Sequence, residues 1–200
     1  VAEHSPLLTQ LIDSLKLLPG VGQKSAQRMA LHLLKVERDK AIKLGQSICD
    51  AVEKIQHCSQ CRNYTEEELC EICRSPNRKS TQMCIVETPT DLMAIENGTS
   101  YNGVYFVLMG KLSPLDGVGP DQLGLDKLEA RLQSGDLEEI ILATSSTMEG
   151  EVTAHVIAEM VKQNGLRTTR LAQGVPIGGE LEYIDLNTLS QALDTRTDYK

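Results

Sequence analysis

Four of the six cysteines lie within sixteen residues, CSQCRNYTEEELCEIC, as Cys58, Cys61, Cys70 and Cys73. The spacing C-x2-C-x8-C-x2-C sets two thiolate pairs around one tetrahedral cation, and four sulfurs suit Zn2+. A complete sulfur shell leaves no open position at which to activate water. The expected role is therefore structural, with one zinc per chain folding the loop. Iron–sulfur ligation also takes four cysteines, but two symmetric pairs favour zinc. His57 could substitute for a ligand, although it reads more simply as the end of the preceding helix. Cys49 in a helical pattern and Cys84 in an apolar run read as small buried hydrophobes. Glu66, Glu67 and Glu68 form an acidic loop tip that should repel nucleic acid.

A second group is Gly20, Gly22, Lys24 and Arg28 in LPGVGQKSAQR. The glycines permit a sharp turn and leave backbone N–H groups uncovered at a helix start. Unpaired donors and the helix dipole attract anions there. Lys24 and Arg28 are four apart, so both share one helix face and can reach the same phosphate backbone. A P-loop is excluded because Gln23 stands before the lysine, the loop is too short and no strand precedes it. The competing reading is a plain helical hairpin with solvated basic residues.

The third group follows short apolar runs. Glu87 ends MCIVE, and Ser145, Thr147 and Glu149 lie in TSSTMEGE beyond IILA. Ligands of open α/β sheets sit at the carboxyl ends of strands, which places chemistry here. Ser145, Ser146 and Thr147 offer hydroxyls to cap the helix beginning near Glu149. The glycine-rich stretches around Gly117-Val118-Gly119 and at 173–180 lack a dinucleotide fingerprint and read as turns, although long loops above a sheet are common binding surfaces.

The elements that must position these groups follow from periodicity. Leu7, Leu8, Leu11, Ile12, Leu15 and Leu18 recur at helical spacing, so a helix is expected over 7–18. A second contains Ala26, Met29, Ala30, Leu33 and Leu34, and a third Ala41, Leu44, Ile48, Val52 and Ile55. RSPNRKSTQ is polar and reads as a hinge. Beyond it, strands at 83–87, 104–109, 140–143 and 168–172 alternate with helices at 90–96, 123–132 and 149–161, with a further strand expected at 181–184. That alternation predicts a mainly parallel sheet covered on both faces. The expected fold is α+β overall: a helical module at 1–56, a four-cysteine loop at 57–80, an α/β module at 81–176 and a C-terminal strand/helix segment at 177–200.

The chain has 200 residues and a net charge of −8. Residues 1–80 carry 12 Lys and Arg against 10 Asp and Glu, a net of +2, and residues 81–200 carry 8 against 18, a net of −10. A mildly basic front and an acidic back suggest two modules with different partners. With no Trp and one Phe, a ring-stacking platform for single-stranded bases is disfavoured. There is no apolar run of membrane-spanning length, and the first residues lack a secretory pattern, so a cytoplasmic protein without membrane partners is expected. In a reducing compartment, paired cysteines favour metal over disulfides.

Leu18 to Ala26 resembles a helix-hairpin-helix motif, which implies a grip on the sugar-phosphate backbone of DNA without base reading. The α/β module resembles the Toprim fold, whose members hold magnesium with a Glu after one strand and an Asp-x-Asp after another. Glu87 matches that Glu, Glu149-Gly150-Glu151 matches a following E-G-E, and Ser145 and Thr147 stand at the two aspartates. Two hydroxyls in place of two carboxylates hold a hard dication poorly, which disfavours catalytic Mg2+. The alternative keeps Mg2+ on Glu87, Glu149, Glu151 and Asp91.

The order of these parts, with LPGVGQKSAQR, FVLMGKLSPLDGVGP and GVPIGGELE, resembles the bacterial RecR family of recombination mediators. Ser145-Ser146 departs from the Asn-Pro usual there. The resemblance implies a non-enzymatic DNA-binding ring or clamp in DNA repair. It also implies action with RecO, and in some settings RecF, to load RecA onto DNA coated by single-strand-binding protein, near the nucleoid. A ring-like homo-oligomer, as a tetramer, is implied as well. The alternatives are a magnesium-dependent enzyme acting on DNA phosphodiesters and a protein-binding scaffold that never touches DNA.

Overall fold

The computed structural model describes residues 5–35 and 38–196. The ends of the N-terminal stretch and of the C-terminal segment, 1–4 and 197–200, lie outside the described residues. The chain divides into two compact units, Val1–Ile55 and Gln56–Lys200.

The first unit is helical. Helix α1 (Pro6–Leu15) starts with proline in its first turn, where the missing N–H costs nothing. It ends at Leu15 rather than Leu18, because the amides of Leu17 and Leu18 turn back to Ser14 O and Leu15 O in tighter i–3 bonds. Helix α2 (Gln23–Lys35) packs on α1 through the small residues Ala26 and Ala30. These let Ile12 approach closely, flanked by Leu8, Leu11, Leu15 and Val21. Truncating Ile12 to alanine should cost about 2–4 kcal/mol, since its side chain is almost fully enclosed.

Helix α3 (Arg38–Lys54) forms where its periodicity predicts, but none of its residues is buried. Ile48 and Val52 are 57% and 79% exposed. Cys49 is exposed too, contrary to the expectation of a buried small hydrophobe. Period identifies the helix; it does not reveal what covers the stripe.

The second unit opens with a two-stranded antiparallel ribbon, β1 (Gln56–His57) and β2 (Tyr64–Thr65), and the single turn α4 (Glu71–Arg74). Strand β3 (Lys79–Val86), helix α5 (Pro89–Gly98) and strand β4 (Gly103–Val107) follow. After them come α6 (Pro120–Leu123), α7 (Leu125–Gln133), β5 (Glu139–Ala143), α8 (Met148–Gln163) and β6 (Arg167–Arg170). A 3-10 turn at Leu181–Tyr183 precedes α9 (Leu186–Asp194). That turn occupies the place of the strand expected at 181–184. The Asp185 carboxylate caps α9 by accepting from the Thr188 amide at 2.9 Å, which commits the chain to helix rather than strand.

The sheet has the order β4-β3-β5-β6, and every pairing is parallel. Alternate side chains face opposite ways. Met83, Ile85, Phe106, Ile140 and Leu142 meet Leu128 of α7 and Ile157 of α8 on one face. Cys84, Val86, Tyr105 and Val107 meet Leu92 of α5 and three of the paired cysteines on the other. Cys84 is therefore the buried strand residue expected. The four-cysteine loop covers sheet surface that a second helix would otherwise occupy.

The expected hinge before β3 is pinned instead. The Arg78 guanidinium pairs with the Glu96 carboxylate of α5, and Asn102 Nδ2 donates to Asn77 O at 2.9 Å. Polar composition suggests mobility, whereas these polar groups are fastened to partners far along the chain.

Candidate functional site

In the hairpin, Gly20 has φ +77, a region open to glycine and strained for other residues. A Cβ at Gly20 or Gly22 would meet no atom within 4 Å, so the turn's surface is open to an approaching ligand. The Ala26 amide donates to Gly22 O at 2.9 Å, the first bond of α2, which leaves the earlier amides of that helix outside its ladder. Lys24 and Arg28 stand exposed one turn apart. Among the described residues, neither side chain is drawn into an ion pair.

The four cysteines converge. Their sulfurs all lie within 4.8 Å of one another, with Cys58, Cys61 and Cys70 buried and Cys73 partly so. The Asn63 amide donates to Cys61 Sγ and the Cys70 amide to Cys58 Sγ, each at 3.4 Å. Such N–H···S bonds suit thiolates. Cys61 Sγ lies 3.4 Å from Cys70 Sγ, a contact that raises the Cys61 thiol and lowers that of Cys70. Buried sulfur anions need a cation, and four soft donors at tetrahedral reach fit Zn2+. His57 is neither ligand nor helix end. It sits in β1, its Nδ1 lies 3.0 Å from Arg62 O, and its ring stacks on Tyr64 at 5.1 Å. Glu66, Glu67 and Glu68 are exposed at the tip as expected, with Glu67 paired to Arg74.

At the carboxyl end of the sheet, Glu87 is 9% exposed. Its Oε1 accepts from the Ser145 amide and from Ser145 Oγ, both at 2.9 Å. Ser145 Oγ lies 2.9 Å from Thr147 Oγ1, which caps α8 by accepting from the Gly150 amide at 3.2 Å. Gly150 has no side-chain room, because a Cβ would strike the Ser145 carbonyl. Lys111 Nζ donates to Thr147 Oγ1 at 3.1 Å and lies 3.7 Å from Glu149 Oε2. The Glu149 carboxyl is held below its ordinary range, first by its own backbone amide and then by Lys111.

The remaining carboxylates of the magnesium alternative are engaged elsewhere. Asp91 closes a capping box with Thr88, accepting from its amide at 2.9 Å and its hydroxyl at 2.7 Å. Glu151 takes both guanidinium nitrogens of Arg170 at 2.6 Å. Among the described residues, the four cysteines are the group of Cys, His, Asp or Glu close enough to hold one ion. Lys111 escapes a reading of the sequence; the available signal is a single cation in the loop that follows β4, facing a helix start.

Residues 8–52 match the family model for the RecR helix-hairpin-helix, and 55–75 that for the RecR four-cysteine zinc finger domain. Residues 81–172 match the Toprim domain, and 174–197 the RecR C-terminal region. The "Recombination protein RecR" of Xanthomonas oryzae pv. oryzae (strain MAFF 311018) is 55% identical over 194 residues, covering 97% of this chain and 98% of its own. The chain belongs to the RecR family. The protein of the same name from Xanthomonas campestris pv. campestris (strain 8004) is also 55% identical with the same coverage. That of Xylella fastidiosa (strain Temecula1) is 54% identical over 192 residues, covering 96% of this chain and 97% of its own. Within this RecR-family chain the cysteine loop is a structural zinc finger, and the α/β module is a Toprim domain with a four-stranded parallel sheet.

Proposed function

We propose that this chain is a non-enzymatic, sequence-independent DNA-binding clamp and adaptor in recombination repair. The observation that carries the reading is the pair Lys24 and Arg28, exposed, one turn apart and beside the open Gly20-Val21-Gly22 turn. Basic groups and helix amides position a phosphate backbone without reading bases. The relatives' shared name, recombination protein, agrees with such a role.

The Toprim residues support adaptor work rather than chemistry. Glu87 is satisfied by neutral donors, and Lys111 supplies a fixed positive charge beside Thr147 and Glu149. In this reading the acidic module meets protein partners, RecO and RecF, and the assembly promotes RecA loading on DNA coated by single-strand-binding protein. The exposed apolar residues of α3, with Leu186 and Leu193 of α9, support a homo-oligomeric ring, as a tetramer. Several weak basic faces in one ring then act together by avidity. A cytoplasmic, nucleoid-associated location follows from that role; no described helix is long and apolar enough to cross a membrane.

The test is fluorescence anisotropy with duplexes of unrelated sequence, using the chain and its Lys24→Glu/Arg28→Glu variant. Equal affinity for all duplexes, lost in the variant while its circular dichroism is unchanged, is the expected result. Undiminished binding by the variant would refute the hairpin as the DNA contact. Light scattering with and without DNA reads the ring, and a monomer in both conditions would exclude it.

A further inference from the structure

The zinc finger and the 109–121 loop of the Toprim domain are far apart in sequence, yet one side chain joins them. Arg62 directly follows the zinc ligand Cys61, and its backbone is fixed from three directions. It adopts φ +65, its amide donates to Cys58 O at 3.0 Å, and its carbonyl lies 3.0 Å from His57 Nδ1. The neighbouring Cys61 carbonyl accepts from the Val107 amide of β4 at 2.8 Å, so the knuckle is bonded to the sheet's edge strand. A residue other than glycine at positive φ is held there by its surroundings, and here those surroundings include the folded metal loop.

The guanidinium reaches out of the knuckle to both ends of the loop. Its Nη1 donates to Leu108 O at 3.2 Å and to Leu123 O, and its Nη2 donates to Gln122 O at 3.1 Å. Its central carbon lies 5.8 Å from the centre of the Phe106 ring. Leu108 immediately precedes the loop, and Gln122 and Leu123 close it. Gly124 has φ +65, a region that favours glycine, and its missing side chain leaves the space next to Nη1 open, since a Cβ there would lie 2.5 Å from that nitrogen. The rigid fork spreads its donors over two nitrogens and so reaches three carbonyls that one compact ammonium would have to meet from a single point. Between the clamped ends the loop carries Lys111, which reaches Thr147, and a turn closed by the Ser113–Val118 bridge. That turn displays Leu115 at 97% exposure.

We propose that Arg62 is a positioning residue through which the zinc-bound knuckle holds the 109–121 loop, and with it Lys111 and Leu115, in one arrangement. Loss of zinc then releases a loop whose own sequence supplies none of the four zinc ligands. The inference goes beyond the DNA-clamp reading and is independent of whether Lys24 and Arg28 hold DNA.

Hydrogen-exchange mass spectrometry on the full zinc-loaded chain tests it, with zinc content measured in parallel. Arg62→Ala should speed exchange across 109–123 by about tenfold or more, while β3, α8 and the zinc content stay as in the parent. Arg62→Lys, with one compact ammonium, should fall between the two. Chelation of the parent should speed exchange in both 56–75 and 109–123, whereas chelation of Arg62→Ala should add little further in 109–123. That non-additivity separates coupling from general stabilisation. Unchanged protection of 109–123 in zinc-loaded Arg62→Ala, or a uniform rise that includes β3 and α8, would overturn the proposal.

Discussion

Glu87 Oε1 and Ser145 are joined by two hydrogen bonds of 2.9 Å, one from the serine amide and one from its hydroxyl. The serine is a donor where an acidic side chain would be a second acceptor, so the carboxylate is satisfied without a cation. Ser145→Asp would set two carboxylates against each other in a half-buried site, which disfavours ionisation of both. The variant should lose about 1–3 kcal/mol of stability at neutral pH, recovered in part on acidification. Ser145→Asn, which keeps side-chain donors, should cost less. Urea unfolding at two pH values measures both.

The zinc finger shares its core with the Toprim sheet: Cys58, Cys61 and Cys70 pack with Cys84, Val86, Tyr105 and Val107. Cys58→Ser should abolish stoichiometric zinc and lower the melting temperature of the Toprim domain, not merely loosen a surface loop. Metal analysis with calorimetry checks this, and an unchanged Toprim transition in a zinc-free variant would contradict it.

Glu96 accepts from Tyr105 Oη at 2.8 Å and pairs with Arg78, and the Arg78 guanidinium holds its carboxyl below the ordinary glutamate range. A folded-state pKa below the unfolded value gives stability that is fully present above the unfolded pKa. It is lost as pH falls through the folded pKa. The Glu96→Gln variant should therefore be less stable than the parent at pH 7, with the difference shrinking below the usual carboxylate range. Thermal melts from pH 7 to pH 3 test the sign.

Most of the architecture is legible in the sequence because apolar period and turn chemistry act locally. The strands around Cys84, Phe106 and Leu142 and the helices between them lie within a few residues of expectation. The cysteine spacing alone identifies the metal ligands. Local period does not say what covers a face, so the exposure of Cys49 on α3 is not legible there. Nor does it show that Asp185 claims the Thr188 amide and replaces a strand by a turn and helix. Lys111 and Arg62 owe their roles to partners 36 to 61 positions away, Thr147 and Leu123, and no short window of sequence contains both members of either pair.

The proposed contact of Lys24 and Arg28 with DNA phosphates is read out by the salt dependence of binding. Each phosphate contact adds about 0.9 to the steepness with which log affinity falls against log salt. Titrations of a fixed duplex across ionic strength should show Lys24→Ala and Arg28→Ala each reducing that slope by at least about 0.9, with no change in preference between sequences. An oligomer engaging several hairpins would multiply the reduction. A slope identical to the parent's in the double variant would show that neither residue contacts a phosphate.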